Sequence, residues 1–303
     1  MVKRAPQWPW GHFLIIVVSY HLVVFSALFI LEGKNTPSSS QFIQQKMMES
    51  YARDYKEDSQ QPGRDSNKLK PIKLLVFFPL FGLQKEKMNK KVHIEKYVIQ
   101  AWTHMAQYIA STSEFPPGSS VRLINFVEKE EHCYPGFKKK TYSSYYNCQP
   151  LPQGCNHPEF DIPTMDCIFL EAVKLASPLE LLFYASSDII FPIDTLSAIS
   201  SIKSNIPFPK TKKDFAIVGR RMEIETSKLP FTYSEDSLEK VIAYARNNGT
   251  LYSSYGLDYF IMPRESFPKD FPPFLLGRWR WDNALLTHFI SEDIPTGFFH
   301  MLG

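Results

Sequence analysis

Apolar residues along this chain occur in runs with different periods. The first covers residues 13–31, FLIIVVSYHLVVFSALFIL, 19 positions without a formal charge. As a helix it spans ~28 Å, close to the hydrocarbon thickness of a bilayer. Trp8 and Trp10 precede it, where interfacial aromatics belong. Lys3 and Arg4 lie on its N-terminal side, whereas Glu32 and Lys34 cancel on the other. The charge asymmetry predicts a cytosolic tail at 1–12, a transmembrane signal anchor at 13–31, and everything later on the far side of the membrane. A cleaved signal is the rival reading, but its apolar core spans only about 7–15 residues. Residues 32–70 are polar and rich in Gln and Ser, with too little apolar surface to fold alone. They are expected to be a flexible stem.

From residue 71 the pattern is that of a globular α/β domain, 71–303. KLLVFFP at 73–79 is a near-continuous apolar run of strand length, as in a strand covered on both faces. Ile94, Val98, Ile99, Trp102, Met105, Ala106 and Ile109 repeat at helical spacing, and residues 114–118 break that helix. VRLINFV at 121–127 reads as a second strand. Ile168, Phe169, Ala172, Leu175 and Ala176 mark a second helix, followed by a strand at 179–184, a helix near 196–202 and a strand at 215–219. Strands alternating with helices predict a Rossmann-like, mainly parallel sheet with flanking helices, whose ligands sit at the carboxyl ends of the strands.

Charge narrows the partners. Residues 1–70 hold nine of the 34 Lys/Arg and six of the 31 Asp/Glu, so residues 71–303 hold 25 of each. A balanced body argues against a nucleic-acid binder that works by neutralising phosphates. Lys138, Lys139 and Lys140, with Tyr142, Tyr145 and Tyr146, form a basic and aromatic segment that reads either as a grip on an anionic polymer or as a solvated loop. All four cysteines, Cys133, Cys148, Cys155 and Cys167, lie in the part placed beyond the membrane. An even count in an oxidising compartment predicts two disulfides, with three connectivities open. A zinc site with His132 or His157 is the competing reading, but no CxxC pair is present. Asn248-Gly249-Thr250 is a glycosylation sequon.

The segment 181–191, LLFYASSDIIF, carries candidate chemistry. An apolar strand leads through Ala185, Ser186 and Ser187 to Asp188. Small residues admit a nucleotide close to the backbone, and a strand end holds a carboxylate rigidly. Such a carboxylate, with phosphate oxygens, suits a divalent cation. The position two beyond it is Ile190 rather than a second acid, and Asp194 is an outlying candidate for support. A turn cap is the plainer role for Asp188.

LLFYASSDIIF, DFAIVGRR (214–221), GLDYFIMP (256–263) and FPPFLLGRWRWDNALL (271–286) resemble glycosyltransferase-like proteins of the nucleotide-diphospho-sugar transferase (GT-A type) superfamily. The resemblance covers about residues 71–295, with GRWRWDN its most specific motif. It implies a nucleotide-sugar donor, a glycan or glycoprotein acceptor, a divalent metal such as manganese at Asp188, and a type II Golgi membrane protein with a luminal domain. Ser187, Arg220 and Arg221 are then expected at the donor. Asp258, Trp279, Trp281, Arg278, Arg280 and Asn283 are expected at the acceptor or sugar, the tryptophans by stacking and the arginines by forked donors. Asp282, at the start of a helix over 283–290, is the candidate base on the acceptor hydroxyl; a helix-capping Asp among buried tryptophans is its plainer counterpart. The resemblance also implies chain beyond Ile294-Pro295 that supplies a metal-binding His. Because the sequence stops at Gly303, with His300 in no recognisable context, a truncated form is expected. A non-catalytic carbohydrate-binding protein or pseudoenzyme is the alternative to a transferase.

Overall fold

In the computed structural model, strand β1 (Lys73–Leu80) is buried on both sides. Leu74, Val76 and Phe78 face one apolar layer and Leu75 and Phe77 the other. That two-sided burial is why the segment reads as an unbroken apolar run. The structure describes residues 71–80, 88–133, 145–205, 215–225, 238–252, 256–278 and 280–300. The predicted tail, anchor and stem lie outside these residues. Among the described residues no helix is long and apolar enough to cross a membrane.

Helix α1 (Met88–Ser111) packs Val98, Ile99, Trp102, Met105, Ala106 and Ile109 on the first layer, with Trp102 edge-on to Phe78 at 4.6 Å between ring centroids. Strand β2 (Ser120–Val127) pairs parallel to β1, and β3 (Tyr146–Pro150) parallel to β2. Helix α2 (Met165–Leu175) covers the opposite face with Ile168, Phe169 and Ala172. Then come β4 (Leu181–Ala185), α3 (Asp194–Asn205), β5 (Ala216–Arg220), the short pair β6 (Met222–Glu223) and β7 (Thr250–Leu251), α4 (Leu238–Asn248), β8 (Tyr259–Pro263), α5 (Trp281–Ser291) and β9 (Thr296–His300). The main sheet has the order β3-β2-β1-β4-β8-β5-β9. Within it only β8 runs against its neighbours β4 and β5. This mainly parallel seven-stranded sheet with flanking helices is the Rossmann-like α/β architecture expected.

Several expectations need correction. The strand predicted from Leu179 begins at Leu181, and Leu179 is 68% exposed. The reason is Glu180, whose buried carboxylate takes two 2.6 Å bonds from Arg122 and one of 2.7 Å from the Ser177 N–H, closing a turn before the strand. The stretch between Cys133 and Cys167, in which the sequence pattern marked no strand, contains β3. Tyr146 is buried at the start of that strand, so it is a core residue and no part of a polymer grip; Lys138, Lys139, Lys140 and Tyr142 lie outside the described residues. The disulfides are Cys133–Cys148 and Cys155–Cys167. With all four sulfurs oxidised, the zinc reading is withdrawn. Residues Thr296–His300 form β9, parallel to β5. Asn248 ends α4 on an exposed corner, its amide donating to the Tyr244 carbonyl at 3.1 Å.

Candidate functional site

The strand order reverses direction between β1 and β4, since β2 and β3 lie on one side of β1 and β4 on the other. A crevice forms outside the carboxyl ends of strands at such a switch point. Here a cavity of about 1140 Å³ opens at that place, with Pro79 from the end of β1 and Ser186, Ser187 and Asp188 from the end of β4 in its wall. Ile189 N–H donates to the Ser186 carbonyl at 3.2 Å, so Asp188 rides a tight turn. Its side chain is exposed.

Because β8 runs antiparallel to β4, the start of β8 lies beside the end of β4. Ser186 N–H donates to the Asp258 carbonyl at 3.3 Å. Asp258 thus reaches the same rim from the opposite chain direction. It is buried and paired with the Arg221 guanidinium, and it accepts the Arg221 N–H at 3.2 Å. Burial pushes its carboxyl above the ordinary value, with neighbouring Asp188 adding to the rise and Arg221 pulling against it. Arg221 also holds Glu223 at 2.7 Å and lies over the Tyr252 ring at 3.7 Å. It is a fixed cation in the cavity wall. Arg220, one position earlier, points elsewhere by strand alternation. It donates to the Tyr252 carbonyl at 3.3 Å and does not line the cavity.

The third wall is the segment entering α5. Gly277 (φ 70°) and Arg280 (φ 86°) both occupy the left-handed region. Glycine adopts that conformation freely, whereas an arginine pays roughly 1–2 kcal/mol for it. Arg280 is the residue flanking the first turn and makes no side-chain capping bond. Asp282 is therefore not the cap that sequence suggested but the second residue of the helix. Its Oδ2 accepts the Leu257 N–H at 3.1 Å, and its Oδ1 accepts from the Asn283 amide at 3.2 Å. These bonds orient the carboxylate and tie α5 to the loop before β8.

Trp281 is only 8% exposed and packs among Tyr184, Phe260 and Phe169, at 4.9, 5.3 and 6.1 Å between centroids. It is a core side chain with a narrow margin on the cavity, not the open stacking platform expected. Trp279 lies outside the described residues. Asp194 begins α3, where it pairs with Arg246 at 2.9 Å, and is no part of the cavity wall. Its supporting role is withdrawn. The cavity does bring together Ser187, Asp188, Arg221, Asp258, Arg278, Arg280, Asp282 and Asn283.

No protein-family model matches the chain, and no curated protein matches it in sequence. Solved structures similar to it include nucleotide-diphospho-sugar transferases. A Desulfovibrio desulfuricans protein assigned as such a transferase has a TM-score of 0.43 at 10% identity, over 76% of this chain and 80% of its own. A mannosyltransferase from Pyrobaculum calidifontis, solved with GDP-Man and Mn2+, has a TM-score of 0.41 at 11% identity, over 83% and 62%. A 4-diphosphocytidyl-2C-methyl-D-erythritol synthase from Anaerococcus prevotii has a TM-score of 0.40 at 10% identity, over 76% and 89%.

The described residues include no group of three His, Cys, Asp or Glu side chains arranged to hold a metal ion. Asp258 is committed to Arg221 and Asp282 to the Leu257 N–H. Asp188 remains as one exposed carboxylate, which suits a cation whose remaining ligands are substrate phosphates and water.

Sequence reasoning missed Tyr184. It lines the cavity, and burial raises its phenol well above the ordinary value, with the charges of Asp188, Asp258 and Asp282 contributing. It lines the same cavity as all three carboxylates. Its place four residues before Asp188 was the available signal, hidden inside an apolar run. Tyr252, Glu128 and Asp161 also line the cavity and carried no motif.

Proposed function

We infer that this cavity binds a nucleotide-sugar donor and transfers the sugar to a hydroxyl of a glycan or glycoprotein. The observation that carries the reading is that Asp188, from the end of β4, and Asp282, from the start of α5, open into one cavity at the carboxyl edge of the sheet. Its volume exceeds the ~300–1,000 Å³ usual for small-molecule sites, enough for a nucleotide sugar and part of an acceptor. Ser186 and Ser187 leave room for the nucleotide beside the backbone. Asp188 would hold a divalent cation, such as manganese, against the donor diphosphate, and that cation would neutralise charge on the departing nucleoside diphosphate. Arg221, its charge answered by Asp258 and Glu223 and its plane held over Tyr252, fixes the shape of that wall. Asp282 takes the proton from the acceptor hydroxyl, its carboxylate aimed by the Leu257 N–H and Asn283.

The two disulfides support an oxidising compartment, in line with a luminal domain on a type II Golgi anchor. The non-catalytic carbohydrate-binding reading draws support from the single uncommitted carboxylate at the proposed metal position. The two are separated by paired variants. Asp188→Asn is expected to abolish manganese-dependent binding of nucleotide sugars together with transfer. Asp282→Asn is expected to leave donor binding intact while transfer falls ~10²–10⁴-fold. Normal donor binding by Asp188→Asn, or full turnover by folded Asp282→Asn, would refute the assigned roles. A wild type that binds no nucleotide sugar would favour the non-catalytic reading.

A further inference from the structure

We propose that Arg278 and Arg280 recognise an anionic group, a carboxylate, sulfate or phosphate ester, on the glycan that accepts the sugar. The inference rests on the transferase reading above and adds the chemical class of the acceptor.

The starting point is how arginines are used elsewhere in the domain. Arg122 holds Glu180, Arg221 holds Asp258 and Glu223, Arg246 holds Asp194, and Arg264 holds Glu265. Arg278 and Arg280 differ. Both are exposed, both line the cavity, and neither forms an ion pair among the described residues. Two guanidinium groups therefore face one side of a binding cavity with their charge unanswered by any described residue. The other cation in that wall, Arg221, is already neutralised.

Their placement decides which ligand they meet. Arg278 and Arg280 precede Asp282 by four and two positions on the same segment. Gly277 and Arg280, both with positive φ, turn that segment twice within four residues. Arg280 retains the left-handed conformation although its side chain makes no capping bond to reward it. A base must touch the acceptor hydroxyl, so side chains flanking it on its own segment border the acceptor. The donor diphosphate is assigned to Asp188, on a different element. Arginine forks fit the paired oxygens of carboxylate, sulfate and phosphate, and the bonds are charge-assisted. A neutral acceptor offers no such partner.

The test is binding of the purified full-length chain to an array of matched oligosaccharides that are neutral, uronic-acid-bearing, sulfated or phosphorylated. Titration with UDP and GDP in manganese serves as the donor-side control. Anionic glycans are expected to bind about tenfold or more tightly than neutral ones. Arg278→Gln/Arg280→Gln should erase that preference and Arg278→Lys/Arg280→Lys should keep part of it, while nucleotide affinity stays unchanged in both. Which anionic spots respond separates carboxylate, sulfate and phosphate sources. Equal binding of neutral and anionic glycans by wild type, or no glycan binding, overturns the proposal. So does loss of nucleotide affinity in the Gln pair, which would give the arginines to the donor diphosphate. If wild type prefers anionic glycans yet binds no nucleotide, the proposal holds and the transferase reading fails. Nucleotide binding without glycan preference gives the converse.

Discussion

Replacing Arg280 with glycine should stabilise the domain even though it removes a functional side chain. Arg280 sits at φ 86° and ψ −5°, where an L-residue with a Cβ is strained by roughly 1–2 kcal/mol. Glycine removes that strain but brings a more flexible unfolded chain, a cost of about 0.4–1 kcal/mol. The side chain is exposed and makes no capping bond, so nothing else is forfeited on folding. The net gain is about 0.5–1 kcal/mol, a rise of about 1–4 °C in Tm for a domain of this size. Arg280→Ala is the control: it deletes the guanidinium, keeps the Cβ, and should melt within about 1 °C of wild type, as exposed substitutions do. Thermal unfolding followed by circular dichroism reads all three proteins. Both variants should weaken binding of anionic glycans. A Gly variant that melts no higher than the Ala variant would refute the left-handed geometry at 280 and, with it, this account of how the segment is turned.

Two further outcomes follow from other parts of the chain. Burial works against the charge of the Glu180 carboxylate, but its bonds from Arg122 and Ser177 outweigh it, so its pKa lies below the ordinary 4.5. The stabilisation is present above about pH 4.5 and is lost as pH falls through the lowered value. Glu180→Gln should therefore cost ~1–3 kcal/mol in urea unfolding at pH 7, with the deficit shrinking below pH 4.5; a deficit independent of pH would count against the ion pair. For topology, sealed microsomes carrying the full chain should lose an N-terminal tag to protease and protect a C-terminal one; the reverse pattern would exclude a luminal domain.

Much of the sheet was legible because its strands are buried on both faces. β1, β2, β4 and β5 each stood out as compact apolar runs, and α1 and α2 as helical stripes. β8 was harder to recognise as a strand. YFIMP follows a loop and itself ends in proline, and its antiparallel placement between β4 and β5 depends on partners about 80 and 40 residues away. β3 was obscured by the polar and proline-rich composition around its disulfides. At the site, Asp188, Asp258 and Asp282 were visible as acids beside strand or helix boundaries. The separation of Arg221 from Arg220 was not, since it follows from strand alternation at one exact register. Trp281 shows the opposite failure: its motif suggested an open surface, whereas its aromatic neighbours come from β4, β8 and α2 and could not be read locally.

The insertion of β8 between β4 and β5 imposes an order on how the polypeptide assembles as it is synthesised. β1 to β4 can associate as soon as they emerge, because each finds its partner within that first half. β5 cannot: its only sheet neighbours are β8 and β9, both later in the chain. Until residue 263 is available, β4 is an open edge, and open edges invite pairing with other chains. Asp188 is in place at the end of that edge from the start, while Asp258 and Asp282 arrive with the strand that closes it and the helix that follows. The nascent chain thus passes through a stage with half a sheet, a border at β4 that the finished fold covers, and an incomplete cavity, which is where a folding assistant would have most to protect.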